Sequence, residues 1–470
     1  MPTLSDDNNF LRKSTLLNIF GTALKVAGPI LTIVLARVFG TKEFGLFVST
    51  QLLVLTLSHG ATLGLDSGLH WFLPQNKLHG RPSHSGIAES FWVSVLAALL
   101  LTAGAFFASF TSFASDDLLW YAISLVPYTA SFMFGNASQG NRRPHYSIFI
   151  DSFIVAVLAP VISIALHYFN IPHALPIGLF FAISVGCLLH FITIKRQFVN
   201  MPWWPPKKVP RSLMLYSLPI AFANIVENFL SRTGLWLVLM LLGSGDAGAY
   251  ALMITISNGL QTIRYGFYPI LLPIVAGMDA ERHRLDLKPV FSYCVSMVTL
   301  IQLIIGFFIV LFPKEILMIA GKDFVIQPEA LGILLFMHLL SGFFGMSESV
   351  LKGLGKSSYM LSRNIVCLAA AFVSGYLLIP KFGLVGAAFS TLIYNLVFLV
   401  WNNVYLVKLN LWPYSAKLCV QCIWILLLTA LYVAINSGVL VLDLWEKIGI
   451  YIVLLAILVI SLIFQKKKFA

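Results

Sequence analysis

The chain has 470 residues, of which 59% are hydrophobic and only 11% charged, with a net charge of +12. A soluble domain of this length is nearer half apolar and a quarter charged, so an ordinary soluble enzyme is excluded. The lysines and arginines sit in short segments between apolar runs, which is a membrane-topology pattern rather than a nucleic-acid surface.

In chain order, the polar and acidic stretch Met1–Phe10 leads into the first apolar run with no cleavage-like site. About fourteen runs follow, each near the 20 residues that cross hydrocarbon as a helix: 14–36, 45–70, 87–113, 118–138, 146–168, 174–194, 213–239, 247–276, 290–312, 325–350, 359–379, 384–407, 414–436 and 446–465. The expected fold class is an all-α polytopic membrane protein with two pseudo-symmetric six-helix lobes and two further C-terminal helices. Placing both termini in the cytoplasm puts Arg12, Lys13, Arg142, Arg143, Lys195, Arg196, Lys207, Lys208 and Lys466–Lys468 on that side, as the positive-inside bias requires. The segment Lys195–Arg211, with its Pro202-Trp-Trp-Pro-Pro206 centre, reads as the link between lobes. The expected divisions are therefore 1–200, 201–410 and an appended 411–470.

The halves share a motif. Gly40, Glu43, Gly45 and Phe47 align with Gly243, Asp246, Gly248 and Tyr250 at a constant offset of 203, each time between two apolar runs. Gly40, Gly45, Gly243 and Gly248 are read as turn residues; Pro269 and Pro273 should bend the run that follows the second copy. Gly60, Gly64 and Gly68 form a ridge that would admit a neighbouring helix closely.

Ionisable residues inside apolar runs are costly unless they meet a partner, a cavity or water. Lys25, Arg232 and Arg264 lie deep in their runs and are candidates for holding an anion, since a guanidinium offers paired donors to phosphate. Pairing with Glu227 or Asp66 is the alternative. His59, Asp66 and Glu227 are candidates for proton or sodium coupling or for charge pairing. Glu89, Asp151, Glu348 and Arg363 lie near run ends, from which they could reach the interface. Cys419 and Cys422 form a CxxC inside an apolar run with no histidine nearby, so buried thiols are expected, and no metal or cofactor. No nucleophile elbow, metal-binding histidine pair or phosphate-binding loop is present to support an enzyme.

The segments Leu35-Ala-Arg-Val-Phe-Gly-Thr-Lys-Glu-Phe-Gly-Leu-Phe47, Ser217-Leu-Pro-Ile220, Gly248-Ala-Tyr250, Leu351-Lys-Gly-Leu-Gly-Lys356 and Phe382-Gly-Leu-Val-Gly-Ala-Ala388 occur here in order along duplicated halves. In this the chain resembles the polysaccharide-repeat-unit flippases (O-antigen and exopolysaccharide transporters) of the multidrug/oligosaccharidyl-lipid/polysaccharide exporter superfamily. The resemblance implies alternating access in an inner, cytoplasmic membrane and an undecaprenyl-diphosphate-linked oligosaccharide as cargo. It also implies a basic cavity, which Lys25, Arg232 and Arg264 would supply, and a polysaccharide polymerase and chain-length regulator as partners. Another exporter of the superfamily, whether a peptidoglycan-precursor flippase or a cation-coupled multidrug antiporter, is the nearest alternative. A membrane polymerase or ligase would need a large external loop that the chain lacks.

Overall fold

Each expected apolar run carries helix in the computed structural model. It describes residues 4–78, 82, 84–109, 117–141, 143–199, 201–204, 208–276, 283–353, 357–409, 414 and 418–469, with the side chains of 4–27, 29 and 268–290 among those left undescribed. The elements are α1 Leu4–Ala61, α2 Leu65–Leu78, α3 Ile87–Ser109, α4 Leu118–Gly140, α5 Pro144–Phe153, a π-helical turn Ile154–Leu158, α6 Ala159–Tyr168 and α7 Ala174–Gln197. After these come α8 Arg211–Leu241, α9 Ser244–Ala276, α10 His283–Leu311, α11 Pro313–Ala320, a 3-10 turn Lys322–Phe324 and α12 Glu329–Phe344. The last are α13 Ser347–Gly353, α14 Ser357–Lys408, α15 Cys419–Asn436 and α16 Leu444–Phe469. The described residues contain no strand, as a bilayer requires of a chain that does not close a barrel. Seven described helices are long and apolar enough to cross a membrane, and Tyr359–Lys408, at 50 residues, has the length of two crossings.

Glycine breaks explain why two elements are so long. α1 changes direction at Gly40 (φ 74°), and α14 does so at Gly383 (φ 62°). In α14 the break makes a hairpin. Ser390 Oγ donates to the Ala371 carbonyl at 3.0 Å, and Arg363 Nη1 donates to Asn402 Oδ1 at 3.0 Å, so the two legs run antiparallel. Gln327 fixes the turn: its Oε1 accepts from the amides of Leu384 at 2.6 Å and Val385 at 3.2 Å.

The chain divides into two compact units. One comprises Met1–Phe39 and Leu46–Phe229, the other Gly40–Gly45 and Leu230–Ala470. In the first, Leu65, Leu69, Phe72, Met133, Phe134 and Leu213 are buried together, with Phe91, Phe191 and Trp203 packed against them. The tryptophan pair of the linker is thereby split. Trp203 packs onto Phe91 and Phe134, its carbonyl accepts from Trp92 Nε1 at 2.9 Å, and Trp204 stays exposed. The glycine ridge is interrupted, because Leu63 (φ 51°) and Gly64 (φ 72°) break the helix between α1 and α2. Gly64 and Gly68 still take the early part of α8. Added Cβ atoms would fall 2.3 Å from the Ser217 carbonyl oxygen and 2.0 Å from Ser217 Oγ, whereas Gly60 faces open space.

In the second unit the two copies of the motif meet. A Cβ on Gly45 would lie 2.1 Å from the Ser244 carbonyl oxygen, and one on Gly248 would lie 2.0 Å from that of Thr41. Gly40 and Gly243 (φ 101°) both adopt the left-handed region that a side chain disfavours. Lipid is as apolar as leucine, so helices in a membrane gain from such close backbone approach rather than from hydrophobic burial. The appended helices dock in the same way. The Tyr432 ring fills the notch at Gly332 and its hydroxyl donates to the Glu329 carbonyl at 2.6 Å, while Lys447 pairs with Glu315 at 2.8 Å.

Candidate functional site

The break after α1 builds a buried carboxylate site in the first unit. Asp66 opens α2 and is 3% exposed. Thr62 Oγ1 lies 2.9 Å from its Oδ1, and Asn136 Nδ2 on α4 donates to its Oδ2 at 3.4 Å. His59 Nδ1 stands 3.8 Å from the same Oδ2, with its imidazole stacked on Phe132 at 4.1 Å. The seven-residue spacing that places His59 and Asp66 on one face of a continuous helix therefore arrives at the right neighbours by a different route. The turn at 62–64 carries the carboxylate back toward the imidazole. A carboxylate removed from water beside a partly exposed imidazole can take up or release a proton, or accept a small cation, without an uncompensated buried charge.

The deep cations are placed as follows. Arg264 on α9 is 5% exposed, and its Nη1 donates to the Ser341 carbonyl on α12 at 3.3 Å. It reaches there because Gly345 has no side chain; a Cβ would fall 2.2 Å from that nitrogen. Asn395 on α14 completes the same joint by donating to Ser341 Oγ at 2.7 Å. Arg264 is thus built into the contact of α9 with α12 and α14. Arg232 is half-buried on α8, and Glu227, on the same helix, is exposed. Lys25, Pro269 and Pro273 lie in helical backbone, but their side chains fall outside the described residues.

Two of the residues expected to reach the interface do not. Arg363 is 1% and Glu348 3% exposed. They sit 3.9 Å apart, and Asn364 accepts from Arg363 Nε at 3.0 Å while the Phe398 ring lies 3.9 Å from the guanidinium carbon. α13 and α14, which carry them, pack against each other and bury both side chains, so pairing replaces snorkelling.

The first unit holds a counterpart that sequence reasoning missed. Asp151 Oδ1 lies 3.0 Å from Nε2 of His190, a fully buried histidine whose Nδ1 finds no partner among the described residues. Ser147 donates to Asp151 Oδ2 at 2.9 Å, and the π-helical turn Ile154–Leu158 follows directly. Asp151 and His190 are 39 residues apart, as are Arg363 and Asn402. Moving from 151 to 363 and from 190 to 402 is one shift of 212. Each unit therefore cross-links two neighbouring helical legs by a polar pair at positions related by that shift, with different chemistry. The signal lay in aligning the halves at that shift, since His190 alone resembles a packed histidine. Among the described residues no three His, Cys, Asp or Glu side chains converge as metal ligands.

Apolar helices of membrane-spanning length, glycine-turned hairpins and buried ionisable pairs define a polytopic membrane protein. The MatE family matches residues 219–377. The chain is 29% identical over 226 residues to a probable multidrug resistance protein, YpnP, of Bacillus subtilis (strain 168), covering 44% of this chain and 48% of that protein. It thus spans about half the length of that relative. Its fold is similar to that of the lipid II flippase MurJ in an inward closed conformation, with a TM-score of 0.73 over 97% of this chain and 99% of that one at 13% identity. It is also similar to an inward-facing MATE family multidrug transporter of the MOP superfamily (TM-score 0.58, 16% identity, 84% and 95% covered). The Vibrio cholerae MATE transporter VcmN is a further likeness (TM-score 0.59, 14% identity, 86% and 98% covered). Together these give the chain a MatE match over part of its length and a fold shared with the lipid II flippase MurJ and with MATE transporters.

Proposed function

We propose that this chain is a flippase that carries an undecaprenyl-diphosphate-linked oligosaccharide from the cytoplasmic to the outer leaflet by alternating access. The observation that carries the reading is the presence of cations deep in apolar helices: Arg232 half-buried on α8, which is long and apolar enough to cross a membrane, and Arg264 buried on α9. A diphosphate head cannot enter hydrocarbon without partners for its charge, and arginine supplies paired donors. In this reading Arg232 contacts the diphosphate. Arg264, held against α12, contributes positive potential, and the Asp66–His59 pair couples the cycle to a proton or sodium gradient. The fold likeness to a lipid II flippase over nearly the whole chain supports a lipid-borne cargo.

A second reading, export of organic cations, is favoured by the MatE match and by the likeness to YpnP. A cell lacking its own repeat-unit flippase separates the two. The wild-type chain restores surface polysaccharide and Arg232→Ala reduces it at unchanged protein abundance. Restored resistance to cationic drugs with no polysaccharide supports the second reading.

A further inference from the structure

The hairpin α14 carries an apolar groove of about 480 Å³ near the open end of its two legs, lined in part by Tyr359, Leu396, Val400, Trp401, Tyr405 and Lys408. Its floor is ordered. Tyr359 stacks on Tyr405 at 3.9 Å, and its hydroxyl donates to the Trp401 carbonyl. Leu396 and Val400 are 40% and 60% exposed on a helix of mean hydropathy 1.9. Such side chains on a membrane-crossing helix meet lipid chains, not water. One charged side chain interrupts the apolar lining: Lys408 stands exposed at the end of the helix.

We propose that this groove is a binding site for an anionic bilayer phospholipid. One acyl chain lies along Leu396 and Val400, and the phosphodiester rests on the Lys408 ammonium. The charge chooses the occupant. A single ammonium is a point charge matched to a monoanionic phosphodiester, whereas a diphosphate calls for the forked donors of arginine, which the described lining lacks. Tryptophan and tyrosine at this depth are the side chains that sit at the head-group level. The site lies within one unit and does not depend on which cargo the protein carries.

The test uses the full-length chain in nanodiscs, with phosphatidylglycerol, phosphatidylcholine of the same chains and undecaprenyl phosphate as probes, read by native mass spectrometry. Phosphatidylglycerol is expected to bind about fivefold more tightly than phosphatidylcholine, the contribution of one lysine near a membrane surface. Lys408→Gln should abolish that preference, and Val400→Trp, which fills the groove, should abolish retention of both phospholipids. Both positions are exposed, so the melting temperature should not change. Equal binding of the two phospholipids by the wild-type chain overturns the proposal. So does retention that Val400→Trp leaves intact, or a groove that takes undecaprenyl phosphate in preference to phosphatidylglycerol.

Discussion

Arg363 shows what a charge inside this protein requires. Its guanidinium is shared among Asn364, Asn402, Glu348 and the face of Phe398, so the cost of burial is offset by four neighbours. Removing it takes away the guanidinium beside the buried Glu348 carboxylate and the donors to Asn364 and Asn402. Arg363→Ala should therefore lower stability by about 3–5 kcal/mol, and the companion Glu348→Gln should recover part of that loss. Denaturant titration in detergent checks both; equal stability of wild type and Arg363→Ala would refute the network's role. The residue types were legible in the sequence and their surroundings were not. Arg363 and Glu348 lie near run ends, and nothing in a linear pattern says that α13 and α14 close over them. His59 and Asp66 were legible as neighbours, because a helical spacing and a tight turn happen to bring the same two side chains together.

At the scale of elements, small residues at crossings decide the fold. Gly45 and Gly248 each face a carbonyl oxygen of the other motif copy at a distance no side chain tolerates. Gly45→Ala or Gly248→Ala should each cost about 1–3 kcal/mol through forced backbone displacement. Gly60→Ala, which meets open space, should be neutral or slightly stabilising. Thermal melts in detergent compare the three, and equal shifts for all of them would contradict the packing. At the tip of the α14 hairpin, Gln327→Ala removes the acceptor for two amides. Hydrogen exchange at Leu384 and Val385 should accelerate about tenfold, on the basis of roughly 1–1.5 kcal/mol lost per hydrogen bond; unchanged protection would show that the hairpin holds without it. The 203-residue repeat marked Gly45 and Gly248 as turn residues and not as a contact. Gly40 and Gly243 adopt positive φ, whereas Gly45 and Gly248 lie inside helices, where their role is close approach. The helix break at Leu63 and Gly64 could not be foreseen either. A leucine at positive φ is held there by its surroundings, among them the bond from its amide to the Gly60 carbonyl, and not by its own preference.

For the whole molecule, the apolar runs made a polytopic helical fold legible from composition and length alone, and the likeness to exporters of known structure agrees with it. Function was less legible, because a lipid II flippase and MATE multidrug transporters are both similar in fold to this chain at only 13–16% identity. The proposal that cationic side chains serve an anionic lipid-borne head is tested most directly in reconstituted vesicles. There, a fluorescent undecaprenyl-diphosphate oligosaccharide placed in one leaflet becomes accessible in the other. The account predicts translocation by the wild-type chain, at least a tenfold slower rate for Arg232→Ala as about 1.4 kcal/mol or more of charge-assisted binding is lost, and no movement of ethidium. Ethidium transport with the lipid-linked sugar left in place, or a rate that Arg232→Ala leaves untouched, would contradict it.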